Sequence, residues 1–294
     1  MLAVVAVVAG AALLGVVLVS QVGSARLVYA DGAGGKELTY EGYIKALEAH
    51  VDDRGLVDYK GLKEGIETLH GFFDELRDLD PKALDEWAEK DRIAFWINAY
   101  NAYTLKVVAL HYPIKPTFPA RWRYPKNSIR QIRGVWTIIE FPIIGTRMTL
   151  NEMEHKRLRK KFNEPRIHLA LVCAALSCPP LRNEPYIGEK LDDQLADQTR
   201  RFLARRSNFR IDRKDNIVRL SSIFKWFGKD FIKTYGTDEK FKGHNESQRA
   251  VLNYISDYLD DDDRTYLAEK SYKIRYVDYD WTLNEQPPEK TADE

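Results

Sequence analysis

One long segment of the chain, residues 91–111, is apolar on nearly every side when drawn as a helix. A helix of this kind has no polar face to offer to water, so it is stable only when other elements surround it. Pro113, Pro116 and Pro119 follow the segment and end it. The pattern therefore predicts a long helix that is buried inside a folded domain.

The rest of the pattern predicts a mainly helical α+β domain with a small central β-sheet. Amphipathic helical periodicity recurs over residues 65–79, 191–205 and 248–259. Strand-like runs are short, and the clearest are Arg166–Cys173 and 216–220. Strands and helices do not alternate regularly, which favours α+β over α/β. We expect one domain with one core, for which roughly 255 residues suffice.

The N-terminal segment has a different character. No charged residue occurs from Leu2 to Ala25, and Leu2–Val19 is almost wholly apolar, which is long enough to span a bilayer as a helix. Small residues near positions 25 and 30 supply two cleavage sites for a signal peptide, although no Lys or Arg precedes the run. Residues 1–30 are therefore predicted to be a cleaved signal peptide or an uncleaved anchor, with membrane contact through residues 1–25 in the second case. Either form exports the domain to the periplasm, the cell exterior or the outer side of a membrane.

Short polar stretches delimit the folded part. Residues 31–36 (DGAGGK) are predicted to be a flexible joint, 37–285 the domain, and 286–294 a disordered tail. Beyond Arg26 the chain has 44 basic and 44 acidic side chains, so its net charge there is zero. This balance gives no support for nucleic-acid binding.

Several segments resemble the DUF547 family, in the order expected of that family. They are Gly55–Tyr59 (GLVDY), Ala94–Ala102 (AFWINAYNA), Thr149–His155 (TLNEMEH), His168–Cys173 (HLALVC), Ser177–Arg182 (SCPPLR), Phe224–Trp226 (FKW) with Asp230 and Phe231, and Trp281–Asn284 (WTLN). The resemblance covers about residues 40–285. It implies a DUF547-like domain but no activity, because the family is defined by sequence.

The two cysteines, Cys173 and Cys178, are candidates for a nucleophile. Cys173 ends a strand-like run and Cys178 directly precedes Pro179 and Pro180. A thiol presented at the end of a rigid strand becomes nucleophilic when a base or cation lowers its pKa. Two cysteines of an exported protein can equally form a disulfide, and buried thiols can be inert small hydrophobes. The sequence leaves these three alternatives open.

His155 is the predicted general base for such a thiol. Glu152 lies three residues earlier on the same predicted helix, so it can orient the imidazole. His168 lies five residues before Cys173, and on a regular strand an odd separation turns two side chains to opposite faces. His168 is therefore predicted to bind substrate, together with Arg182. We expect these side chains to line one cleft, with His155 closer than His168 to a cysteine sulfur.

Asn98 and Asn101 share one face of the predicted buried helix. Their amides need partners there, so they are predicted to bind substrate or its oxyanion, unless they bond neighbouring loops. The stretch 121–133 interleaves arginines with aromatic residues, which suits anionic groups. No metal or cofactor site is predicted, because the two Glu-x-x-His pairs are expected by chance and spaced zinc ligands are absent from the sequence.

The predicted function is an exported thiol-dependent hydrolase or acyl transferase, with Cys173 or Cys178 as nucleophile. The alternative is a non-catalytic module of the cell envelope that binds a peptide or small anionic ligand through the Arg- and Trp-rich loop.

Overall fold

The computed structural model describes residues 16–21, 24–29 and 38–287. Its α-helices are α1 (Glu41–His50), α2 (Tyr59–Glu64), α3 (His70–Asp78), α4 (Pro81–Glu86), α5 (Glu89–His111), α6 (Leu150–Glu152), α7 (Leu191–Leu203), α8 (Ser222–Phe227), α9 (Ile232–Tyr235), α10 (Glu246–Ser256) and α11 (Asp261–Glu269). Its strands are β1 (Val16–Gln21), β2 (Ser24–Tyr29), β3 (Glu140–Ile143), β4 (Thr146–Thr149), β5 (Phe209–Asp212), β6 (Ile217–Leu220) and β7 (Lys273–Tyr276). The mainly helical α+β class is confirmed.

Helix α5 lies at the centre of the fold, as its sequence predicts. Phe95, Ile97 and Tyr103 are fully enclosed, although they point to different sides of the helix. Helices α2 and α6 are among the elements that pack around it. The apolar circumference of α5 is thus matched by neighbours on its different sides, which is the arrangement that stabilises such a helix.

The strands are divided among separate small sheets. β1 pairs with β2 and β3 with β4, both antiparallel. β6 pairs antiparallel with β5 and parallel with β7. The turn between β3 and β4 is anchored on α3, because Ile144 N–H donates to the carbonyl of Leu76 and Gly145 N–H to that of Arg77. Gly145 has a φ of 69°, a conformation that glycine adopts without strain.

The strand predicted over Arg166–Cys173 is absent from the structure. Pro165–Leu169 is a 3₁₀ helix, and an irregular segment follows it. The side-chain amide of Asn101 hydrogen-bonds to the backbone groups of Ala170 and Val172. In a sheet, a neighbouring strand would pair with these groups. An apolar run can therefore be buried here without belonging to a sheet.

The predicted helix that carries Glu152 and His155 changes its winding. It begins as α6, where Thr149 and Glu152 form a capping box. It continues as a π-helix over Met153–Arg159. A π-helix has a wider turn than an α-helix and often marks a functional site. The wider turn changes which side chains share a face, so spacings of three and four residues no longer predict neighbours here.

The apolar side chains form two clusters rather than the single predicted core. The larger cluster surrounds α5. The second is built on α8, α10 and the β5–β7 sheet, with Phe202, Phe231 and Tyr254 at its centre. Tyr279 packs against both clusters. A cleft opens along this junction.

The ends of the chain are described only in part. The backbone of β1 and β2 forms a hairpin within the predicted export segment, whereas residues 1–15 and the joint at 31–36 lie outside the described residues. Among the described helices, none has both the length and the apolar character needed to cross a membrane. At the other end, Gln286, the first residue of the predicted tail, donates its N–H to the carbonyl of Val57 at 2.9 Å, and residues 288–294 lie outside the described residues.

Candidate active site

The cleft has a volume of about 1190 Å³. Its walls come from the loop 117–137, the π-helix, the segment 168–178, helix α8 and residues 279–281. His155, His168, Cys173 and Cys178 all line it. The structure therefore brings together four of the side chains that the sequence singled out.

The segment that carries both cysteines is held from two sides. On one side, the Asn101 amide donates to the carbonyl of Ala170 at 3.0 Å and accepts from Val172 N–H at 2.9 Å. On the other, Leu176 N–H donates to the carbonyl of Thr282 at 2.8 Å. The backbone around the thiols is therefore fixed between α5 and the C-terminal segment.

The two thiols are free and do not form a disulfide. The backbone N–H of Cys173 donates to the sulfur of Cys178 at 2.8 Å. Burial opposes ionisation of Cys178, but hydrogen bonds from the Cys173 thiol, from Tyr279 and from backbone N–H groups outweigh burial and lower its pKa. The pKa of Cys173 is raised, first by its hydrogen bond to Cys178 and then by burial. The first thiolate of the pair thus forms on Cys178.

Tyr279 completes this thiol cluster of Cys173, Cys178 and Tyr279. Its hydroxyl oxygen lies 3.1 Å from the sulfur of Cys173. Burial raises the pKa of Tyr279 well above its usual range, and the two neighbouring sulfurs add to the effect. The phenol therefore keeps its proton and remains a hydrogen-bond donor to the cluster.

His168 forms a charge-linked pair with Asp230. Its Nε2 lies 2.8 Å from Oδ2 of Asp230, and its ring stacks on Phe227 with 3.9 Å between centroids. Arg159 donates to both oxygens of the same carboxylate, at 2.7 and 2.9 Å. Burial opposes ionisation of Asp230, but the hydrogen bonds from His168 and Arg159 hold its pKa below the usual range. Burial lowers the pKa of His168, so its ring is neutral with the proton on Nε2, and Nδ1 keeps its lone pair.

His155 is the same Nε2–H tautomer as His168, but the two rings leave different nitrogens for a ligand. Nη1 of Arg159 lies 2.9 Å from Nδ1 of His155, and a guanidinium only donates. Burial and then the charge of Arg159 lower the pKa of His155, so the ring is neutral with its proton on Nε2. The nitrogen of His155 that remains available carries a proton, so His155 acts as a hydrogen-bond donor. The available Nδ1 of His168 has a lone pair, so the geometry favours His168 as the base, whereas the sequence predicted this role for His155.

Glu154 is the one carboxyl group among the described residues that line the cleft. Burial raises its pKa to about 7, although the charge of Arg159 acts against this. A carboxyl with this pKa is present in both protonation states near neutral pH and can therefore exchange a proton with a ligand.

An aromatic wall faces these polar groups. Four of the six tryptophans line the cleft, namely Trp122, Trp136, Trp226 and Trp281. The guanidinium of Arg130 lies over the rings of Trp136 and Trp281, at 5.3 and 5.0 Å from their centroids. This wall offers flat apolar surfaces and positive charge side by side.

Comparison with protein families supports the resemblance noted in the sequence. A family model described as "Protein of unknown function, DUF547" matches residues 84–203. Residues 84–203 of the chain thus match the DUF547 domain. No curated protein and no solved structure matches the chain. Within the cleft, both histidines and both cysteines lie inside the matched stretch of the DUF547 domain, whereas Asp230 and Tyr279 lie after it.

Two predicted site residues of the DUF547 domain lie away from the cleft lining. The Glu152 carboxylate binds the Thr149 backbone N–H at 3.1 Å and Lys156 at 2.7 Å, so it does not orient His155 as expected. The capping box and the wider π-turn together explain this difference. Arg182 is engaged by Glu184 and Asp197 in ion pairs.

The two asparagines of α5 also have structural partners instead of a ligand. Asn98 donates to the carbonyl of Tyr186 and accepts from its N–H, both at 2.8 Å. Asn101 makes the equivalent pair of bonds with Ala170 and Val172. Both amides are buried, lie outside the cleft lining and are paired with backbone, which favours the alternative that they hold neighbouring loops.

Sequence reasoning missed three residues of the site: Glu154, Asp230 and Tyr279. Asp230 stood within a family-like motif, but nothing in the sequence linked it to His168. Glu154 is adjacent to His155, and only the π-helix brings both into one cleft lining. Tyr279 had no distinguishing pattern.

Proposed function

We propose that the DUF547 domain of this chain is a thiol-dependent acyl-transfer enzyme, a hydrolase or an acyl transferase, with Cys178 as the nucleophile. The observation that carries the proposal is the 2.8 Å hydrogen bond from Cys173 N–H to the sulfur of Cys178, in a cleft that is also lined by His168, the partner of Asp230. A thiolate held by backbone donors beside a base is the arrangement that nucleophilic cysteines require.

The chemistry follows from the tautomers of the two histidines. The Cys178 thiolate attacks the carbonyl carbon, and the negative charge moves to the carbonyl oxygen. The Nε2–H of His155 supplies a hydrogen bond that stabilises this oxygen. Collapse of the tetrahedral intermediate expels the leaving group, which receives the proton that Nδ1 of His168 took from the Cys178 thiol, and a thioester remains on Cys178. His168 takes a proton through Nδ1 from water or from an acceptor alcohol or amine, which then releases the acyl group.

The test uses an activated ester as a general acyl donor. The full-length chain is incubated with p-nitrophenyl acetate, and acetylated peptides are located by mass spectrometry. We expect a burst of nitrophenol and a mass increase of one acetyl group on Cys178. Cys173→Ser is the matched control, because its hydroxyl keeps a hydrogen-bond donor beside Cys178, and it should retain the burst.

Two outcomes contradict the proposal. One is acetylation of Cys173 with none on Cys178. The other is a burst of nitrophenol that is unchanged in the Cys178→Ser variant. Absence of acylation at both sulfurs would favour the alternative, a non-catalytic module that binds a peptide or small anionic ligand.

We also propose that the domain works outside the cytosol. The uncharged apolar stretch Leu2–Ala25 supports this, since it is long enough for a signal peptide or a membrane anchor. Fractionation of cells that express the full-length chain should find it outside the cytosol. A chain without residues 1–30 should remain in the cytosol as a folded, soluble protein, and its aggregation would show that the segment belongs to the core.

A further inference from the structure

Arg130 is one of several half-buried arginines that have no ion pair among the described residues, and it is the one of them that lines the cleft. Arg159, Arg166 and Arg182 each form an ion pair with a carboxylate. For Arg130 no such pair is found among the described residues, and its hydrogen bond goes from Nη2 to the hydroxyl of Tyr124 at 2.6 Å. A half-buried charge without a counter-charge is unfavourable unless something supplies one.

The surroundings of Arg130 attract anions. The described lining of the cleft contains Arg123, Arg130 and Arg133 against a single carboxyl group, Glu154. Burial raises the pKa of Glu154 to about 7, so at neutral pH its negative charge is only partly present. The cleft therefore has an excess of positive charge, which is focused by its walls.

Aromatic rings surround the guanidinium of Arg130. It lies over Tyr124, Trp136 and Trp281, with ring centroids 4.5, 5.3 and 5.0 Å from the guanidinium carbon. Among the described residues, the Tyr124 hydroxyl is the one hydrogen-bond partner of its side-chain N–H groups. The rest of the N–H edge can therefore donate to a ligand, and such an edge matches a planar carboxylate through two parallel hydrogen bonds. The same rings provide an apolar platform for the rest of a ligand.

We propose that the acyl substrate of this cleft carries a carboxylate group, which binds the N–H edge of Arg130 while the apolar part of the substrate packs on Trp136 and Trp281. The inference rests on the proposed function for the reaction that follows binding. Binding itself does not need the thiolate, so the two proposals can fail separately.

The test measures binding without reaction. N-acetyl amino acids, each paired with its primary amide, are titrated into the full-length Cys178→Ser variant, and tryptophan fluorescence reports occupancy of the cleft. Each pair differs only in the carboxylate. We expect the acids to bind about tenfold more tightly than the amides, the effect of a charge-assisted pair of hydrogen bonds.

Substitutions of arginine assign the preference to one residue. Arg130→Gln should remove the difference between acid and amide, and Arg130→Lys should keep only part of it, because an ammonium lacks the planar fork. Arg121→Gln is the matched control, since Arg121 lies in the same loop but outside the lining of the cleft. Thermal unfolding of each variant checks its fold, and Arg130→Lys carries the test if the Gln variant does not fold.

Equal affinity for acids and amides, or no binding of either, would overturn the proposal, as would a preference that survives in Arg130→Gln. A preference for acids in a chain whose Cys178 is never acylated would support the carboxylate site and reject the acyl-transfer chemistry. Acylation of Cys178 without a preference for acids would support the acyl-transfer chemistry and reject the carboxylate site.

Discussion

Asn101 provides a sharp test of how α5 supports the thiol cluster. Replacing Asn101 by Leu keeps a side chain of similar size but removes both partners of the buried backbone groups at Ala170 and Val172. Each unpaired buried group costs about 1–3 kcal/mol, so the free energy of unfolding should fall by about 2–6 kcal/mol. Urea unfolding measures this loss.

The same substitution should also change the chemistry of Cys178. When Val172 is released, the N–H of the next residue, Cys173, no longer stays aligned with the sulfur of Cys178. Loss of a hydrogen bond to a charged group costs about 1.5 kcal/mol or more, which disfavours the thiolate and raises the pKa of Cys178. Alkylation of Cys178 by iodoacetamide at pH 7, followed by mass spectrometry, should therefore slow by about tenfold.

Asn98→Leu is the matched control for this experiment. Asn98 makes the same two backbone hydrogen bonds from the same helix, but to Tyr186 and not to the segment that carries the thiols. Its loss of stability should be similar, and its rate of alkylation should be unchanged. Equal alkylation rates in both variants, or a stability loss below about 1 kcal/mol for Asn101→Leu, would refute the proposed role of the clamp.

Three further predictions concern the core, the base and the buried carboxyl. Trp96 is 4% exposed inside α5, so Trp96→Ala should lower the free energy of unfolding by about 3–5 kcal/mol, and a loss below about 1 kcal/mol would contradict its burial. Asp230→Asn should slow acetylation of Cys178 by about a hundredfold or more, because the amide no longer selects the tautomer of His168 that leaves Nδ1 free. An unchanged rate of acetylation would exclude His168 as the base. Glu154 has a pKa of about 7 in the folded protein and about 4.5 in the unfolded chain. Between these pH values the wild type should therefore lose stability as the pH rises, by up to about 3 kcal/mol relative to Glu154→Gln. Parallel unfolding curves of the two proteins at pH 5 and pH 8 measure that difference, and a constant difference would show that Glu154 ionises normally.

Patterns in the sequence predicted those features of this protein that depend on residues close together along the chain. The buried helix α5 follows from its apolar circumference, because such a helix has no other stable environment. The mainly helical α+β class follows from the periodicities, and the family follows from motifs that are contiguous in the sequence. Cys173 and Cys178 were recognisable as candidates for the same reason, since each is defined by its immediate neighbours.

The tertiary structure decided the chemistry of the site. His168 meets Asp230 across 62 positions of the chain, and Tyr279 reaches Cys173 across 106. No local period encodes such pairs, so neither the base nor the donors around the sulfurs were predictable. The strand expected over Arg166–Cys173 does not form, because Asn101, far away in sequence, hydrogen-bonds to the backbone of this segment. Tautomers and pKa values depend on these partners and on burial, which arise only when distant segments pack together.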